Sequence, residues 1–303
     1  MEASWDNVGS LQLPTEIAPL VFRFVSPLIF IHRVASTCRQ FSFEWYLRSL
    51  FRAAYCVPDD VSTINAAINR LGMAGASSRQ GIVLVRPGKY SESVRVTQNC
   101  YILGMGRRGQ VIIEAPGWES ALVSAGLGSR NVPEEFGWKD YASGEDASIE
   151  NLAFRCRNEN MRGRCVYIVN GQLNILRCNI DGTVVVSGCR TAPRFVGCEI
   201  RGSRGSGAYL TDHCKPHLHS SLITKHRGNG VLVDRLSHPQ IAANSILCNG
   251  CCGIRIFSGG SPTLEQVRGN SFRDNGDQDL SVTPRLVDSD DEGWHVDEQC
   301  CGA

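Results

Sequence analysis

PRFVGCEIRGSRGSGAYLTDHCK (Pro193–Lys215), PHLHSSLITKHRGNGVLVDRLSH (Pro216–His238) and PQIAANSILCNGCCGIRIFSGGS (Pro239–Ser261) are consecutive stretches of 23 residues each, and a fourth begins at Pro262. Two residues beyond each proline stands an apolar side chain: Phe195, Leu218, Ile241 and Leu264. Gly207, Gly230 and Gly253 recur at the same interval, and Ile200, Ile223 and Ile246 form a third register that Phe272 joins after a three-residue insertion. After each of these glycines the chain alternates. Ala208 and Leu210, Val231 and Val233, and Ile254 and Ile256 face one way, while Tyr209, Leu232 and Arg255 face the other.

Three short strands per repeat, separated by Gly, Pro and Asn turns, cannot bury a face within one repeat. Stacking successive repeats does so, with equivalent apolar residues in interior columns and strands pairing in parallel from coil to coil. The fold class is therefore mostly β, a right-handed parallel β-helix. Cys178, Cys198, Ser221, Asn244 and Asn270 also share a column, two residues before the apolar one, and are expected to point inward at a bend and satisfy turn backbone groups.

Upstream the pattern is less regular, as expected near the end of a solenoid. GIVLVRPGKYSESVRVTQNCYILGMG (Gly81–Gly106) carries Ile82 and Leu84, a Pro87-Gly88 turn, then Val94, Val96 and Ile102; VIIEA and SIENLAF supply further strands. Val61, Ile64, Ala67, Ile68 and Leu71 lie on one helical face. This opening resembles the pectin-lyase-like superfamily, whose β-helix carries a cap helix at its open end, and the resemblance covers residues 58–287. It implies the fold and is weak as to activity.

Residues 11–56 follow a helical grammar. Pro14 suits a first helical position ahead of Ile17, Leu20, Val21 and Phe24; Ser26-Pro27 restarts a second helix carrying Leu28, Ile31, Val34, Ala35 and Cys38; Trp45, Leu47, Leu50 and Phe51 begin a third. So short a segment needs something to pack against. Leu13-Pro14-x-Glu16, Phe24 before Pro27-Leu28, Val34 to Cys38-Arg39 with Phe41, and Trp45 together resemble an F-box, although Pro19 falls inside the first helix and Phe41 replaces the more usual Trp. The resemblance implies that Leu13, Pro14, Ile17, Pro27, Leu28, Val34, Cys38 and Arg39 dock the Skp adaptor of an SCF-type cullin-RING ubiquitin ligase. The β-helix would then capture an unidentified client protein, with no catalytic residue and no cofactor of its own. The alternative is a carbohydrate-binding protein or a polysaccharide lyase.

The lyase reading calls for carboxylates grouped on outward strand positions. On the strands after each Gly and each Pro, only Asp234 and Glu265 are acidic, and they belong to different faces. His217 and His219 project from one strand, but Arg194 and Gln240 flank His217, and neither is a usual zinc ligand; the residues read as a surface His patch with no metal. Arg194, His217 and His219 are candidate client contacts, as are Trp138 and Tyr141 on the polar insertion Ser129–Asp146, which is too long for a solenoid turn.

Composition bounds these readings. Thirty-one Lys and Arg against 30 Asp and Glu leave a charge of +1, no surplus for binding nucleic acid or an anionic membrane, and no apolar run is long enough to span a bilayer. Residues 288–303 form an acidic tail. The chain has 14 cysteines, and the start MEASWDNVGS has neither a basic nor an apolar leader region, so reduced thiols and a cytoplasmic or nuclear location are expected.

Overall fold

A computed structural model of the chain describes residues 53–73, 81–125, 147–156, 164–257 and 266–283. The F-box-like residues Leu13 to Arg39, the aromatics Trp138 and Tyr141, Glu265 and the acidic tail lie outside the described residues.

The described chain is a parallel β-helix with three sheets. Sheet A has nine strands, from Ala54–Val57 to Val267–Arg268; sheet B has eight, from Gly88–Tyr90 to Ser271–Arg273; sheet C has eight, from Val94–Val96 to Leu280–Thr283. Strands pair in parallel at the predicted register: Phe195, Leu218 and Ile241 stack in sheet A, Ile200, Ile223, Ile246 and Phe272 in sheet B, and Val231 with Ile254 in sheet C. These columns, with Ile102, Ile149, Ile175, Phe154 and Ile180, form one continuous interior core. Of the described residues, only Ile64–Met73 form an α-helix, and no helix is long and apolar enough to cross a membrane. Its Ile64, Ala67, Ile68 and Leu71 close the first coil as expected, and Glu92 accepts the N–H groups of Ile64 (2.9 Å) and Asn65 (3.1 Å), satisfying donors that a helix start leaves free.

Two expectations are corrected. The strand Ala54–Val57 pairs with Gly81–Val85, so the solenoid begins inside the last residues assigned to the helical segment. Ile241 pairs with Val267 and not with Leu264, because the three-residue insertion precedes this strand.

The corners explain how a coil closes. Between sheets A and B the chain turns at a residue of left-handed conformation, Asn151, Arg177, Gly197, Ser220, Ala243 or Gly269, with φ between 50° and 63°. After each of these except Asn151, which Leu152 follows, the next residue is a ladder residue. The Cys198 N–H donates to Ser221 Oγ (3.1 Å), Ser221 N–H to Asn244 Oδ1 (2.9 Å) and Asn244 N–H to Asn270 Oδ1 (2.9 Å), while Asn244 Nδ2 returns a bond to the Leu218 carbonyl (2.9 Å). The inward polar column read from sequence is therefore the stitching between coils.

A second ladder runs at the corner between sheets B and C, through Ser203, His226, Asn249 and Asn275. Here the left-handed residues are Gly202, Lys225, Cys248 and Asp274. The Ser203 N–H donates to His226 Nδ1 (3.1 Å), the His226 N–H to Asn249 Oδ1 (3.3 Å) and the Asn249 N–H to Asn275 Oδ1 (3.3 Å). With Nδ1 accepting, Nε2 carries the proton and donates to the Ile200 carbonyl (3.1 Å). His226 is 2% exposed, and burial pushes its pKa down to about 4.

The glycines at the start of sheet C serve close approach. A Cβ on Gly230 would stand 2.6 Å from the Gly253 carbonyl oxygen and 2.7 Å from Ile246 Cγ2, whereas one on Gly205 would meet nothing nearer than Ser203 Oγ at 3.9 Å. Gly230→Ala is therefore expected to destabilise by about 1–3 kcal/mol and lower the melting temperature, with Gly205→Ala nearly neutral. His226 supplies a second test. Its folded pKa lies below the unfolded value, so the unfolded chain binds the extra proton first. The stability it contributes is present above pH 6.5 and falls as the pH drops towards 4. Between pH 7.5 and 4.5 the wild type should lose on the order of 2–3 kcal/mol more, by chemical denaturation, than His226→Asn, which keeps an amide in the ladder. Equal losses would show that His226 does not set the acid limit.

Candidate functional site

Outward positions differ sharply among the three sheets. Sheet B carries paired charge. Lys89 meets Glu114 at 2.5 Å, Arg155 meets Asp181 at 3.0 Å, and Arg201 bridges Asp181 (2.7 Å) and Glu199 (2.8 Å). These carboxylates stand on the third strand of the repeat, which the sequence comparison of the other two strands passed over. Sheet C carries an apolar column: Val123, Tyr167 and Val185 pack together with Tyr209, and the Arg164 guanidinium lies 4.6 Å from the Tyr167 ring centroid. At its edge Ser187 Oγ donates to Asp212 (2.7 Å) and the Tyr209 hydroxyl to Asp234 (3.2 Å).

Sheet A is divided. Over its first coils the outward side chains Ile82, Leu84, Leu103 and Glu150 are buried, Glu150 held by Arg177 and the Tyr101 hydroxyl. Over its last coils the face is open. One column runs Asn174, Arg194, His217, Gln240 and a second Leu176, Val196, His219, Ala242, Arg268. The structure thus brings the sequence-predicted Arg194, His217 and His219 onto adjoining strands, with Arg194 directly beside His217 and Val196 beside His219. Successive strands are about 4.8 Å apart, so a ligand lying along the solenoid axis would meet the next donor at each such step. Arg194, Gln240 and Arg268 are exposed, His217 is half-buried, and no acidic residue occurs in these two columns from Asn174 to Arg268. The position expected for Glu265 is taken by this register change, which sets Arg268 beside Ala242.

Partial burial, and secondarily the positive charge of Arg194, lower the His217 pKa below its ordinary value, so the ring is held neutral at neutral pH and offers one donor and one acceptor. His219 is exposed, with Nδ1 2.7 Å from Ser220 Oγ. Among the described residues no group of three or more His, Cys, Asp or Glu side chains is disposed to hold a metal ion. The eleven described cysteines are free, and burial raises the Cys100 thiol to about 12 and the Cys198 thiol to about 11, which keeps them protonated and unreactive.

Residues 143–290 match the family model described as Right handed beta helix region. No curated protein matches. Among solved structures the chain is similar to pectin methylesterase PemA from Erwinia chrysanthemi, at 11% identity and a TM-score of 0.41, over 73% of this chain and 92% of that one.

The coupling across the open face is measurable. Arg194→Ala should raise the His217 pKa towards 6.5 in a proton NMR titration, since a neighbouring cation disfavours the imidazolium.

Proposed function

We propose that the protein is a non-catalytic receptor, whose open half of sheet A binds an acidic ligand and whose N-terminal segment docks the Skp adaptor of a cullin-RING ubiquitin ligase. The observation that carries the binding face is the run of donors Arg194, His217, Gln240 and Arg268, with no carboxylate in its two columns from Asn174 to Arg268. Elsewhere on the described coils, Glu114, Asp181, Glu199, Asp212, Asp234 and Glu150 already have partners within the chain. A surface of this charge steers and holds an anion, and the same pairs leave few carboxylates to act as acid and base.

The adaptor half of the proposal rests on Leu13, Pro14, Ile17, Pro27, Leu28, Val34, Cys38 and Arg39 as an F-box-like pattern. The β-helix alone favours a second reading, an acidic polysaccharide bound on the same donors. Both predict that the face seeks anions, and they part on the partner. Client capture by the Ser129–Asp146 insertion through Trp138 and Tyr141 belongs to the first reading.

Two measurements on the full chain separate them. Under the receptor reading a purified Skp adaptor is retained by wild type and lost on Leu13→Ala/Pro14→Ala, with the melting temperature unchanged. Failure of the wild type to retain the adaptor removes that reading. Under the polysaccharide reading, immobilised polygalacturonate retains the wild type, and Arg194→Ala with Arg268→Ala weakens retention about tenfold or more; release of unsaturated product with calcium would overturn the non-catalytic assignment.

A further inference from the structure

Ile82 and Leu84 stand on the strand Gly81–Val85 and Leu103 on Cys100–Gly104, both in sheet A. The interior positions of these strands are Val83, Val85 and Ile102, which belong to the solenoid core. Ile82, Leu84 and Leu103 occupy the alternate, outward positions, with Leu84 paired to Leu103. They are nevertheless 0%, 5% and 0% exposed, and they belong neither to the interior core nor to the small apolar cluster on sheet C. An outward sheet face with three large aliphatic side chains out of water has a cover. The face further along the same sheet, at Arg194, Val196 and His219, has none over it.

We propose that residues 11–52 dock on this face and shield Ile82, Leu84 and Leu103. The first argument is where that segment joins the solenoid. It runs into Ala53, whose carbonyl accepts the Ile82 N–H at 2.8 Å, and into the strand Ala54–Val57 at the edge of sheet A, with Ala54 opposite Ile82. The segment is delivered at the margin of the apolar face. The second argument is composition: 23 of its 42 residues are apolar, and a segment of that length cannot bury so much surface by itself. The insertion at 126–146 is the competing cover. It re-enters at Ala147, beside the outward Ser148 and Glu150, and only six of its 21 residues are apolar. Its point of return faces a polar part of the sheet whose carboxylate already has Arg177 and Tyr101 as partners.

The docking goes beyond the adaptor reading and stands without it. Where both hold, the adaptor dock and the anion-binding face share one face of the solenoid. The strands of Leu103 and Arg194 are three steps apart in sheet A, or about 14 Å at a spacing of about 4.8 Å.

The test uses the full chain with the photo-crosslinking residue p-benzoylphenylalanine placed at Leu103 and, in a second variant, at Cys56, a half-buried residue in the same outward column. Irradiation and peptide mapping should find crosslinks from both positions to residues 11–52. Crosslinks from Cys56 that reach residues 11–45, beyond its immediate neighbours in the chain, keep the test decisive if the bulky residue at Leu103 lowers the melting temperature. Crosslinks confined to 126–146, crosslinks to a second copy of the chain, or no crosslink from either position would overturn the proposal. Adaptor retention reads a separate property, so loss of one result leaves the other in place.

Discussion

Everything in this molecule depends on each coil finding the next one in register at its corners. A parallel strand of three residues makes too few hydrogen bonds to hold a place in a sheet alone, and a corner that leaves backbone N–H groups buried and unpaired would cost more than the strand gains. The corners solve both problems with two residues. A left-handed residue swings the chain by the angle between two sheets, and the side chain after it bonds to the backbone of the preceding coil. Since that bond reaches one coil back, it ties closure of each coil to stacking on its neighbour. Cys178, Cys198, Ser221, Asn244 and Asn270 meet this need with different chemistry, from weak thiol acceptors and donors to an amide that does both. His226 meets it with an imidazole, which fits the ladder in the neutral form and brings a proton dependence that an asparagine at the same place would lack.

The interior was legible in the sequence because it repeats without gaps. Phe195, Leu218 and Ile241 fall on one column at an interval of 23, and the polar column beside them was readable for the same reason. The reading failed where the interval changes or the alternation disappears. The three-residue insertion hands the place of Leu264 to Val267, since a period says that residues have been added and not on which side of a strand. Gly81–Val85 is buried at all five positions, so there was no polar alternation from which to tell its two faces apart. The ladder Ser203–His226–Asn249 has the 23-residue spacing of Cys198–Ser221–Asn244, but its middle member is a histidine, a residue type that carries no corner signal of its own in the sequence.

The candidate site was partly legible. Arg194, His217 and His219 were placed on one face from the repeat phase, and the strands confirm that arrangement. The paired carboxylates of sheet B stand on the third strand of the repeat, which carries neither the Gly nor the Pro that marks the period. Their arginine partners come from the neighbouring coils, as with Arg155 and Arg201 on either side of Asp181. That exchange of charge between coils is visible only once the coils are stacked.

A solenoid separates what the fold requires from what it merely permits. Interior positions answer to the core, corner positions to the coil behind, and glycines such as Gly230 to the backbone pressed against them. Outward strand positions answer only to neighbours in their own sheet, where β-branched or small polar residues pair as well as any. On sheet B those neighbours account for what is there, since each charge is set against its opposite. On the covered half of sheet A the aliphatic residues are accounted for by what lies over them. On the open half neither account applies: Arg194 stands beside His217 where two cationic or donor groups disfavour one another, and the burial that lowers the His217 pKa is compounded by that neighbour. Such an arrangement adds little to the stability of the coil stack, and it is here that the proposed anion would meet donors whose columns hold no carboxylate from Asn174 to Arg268.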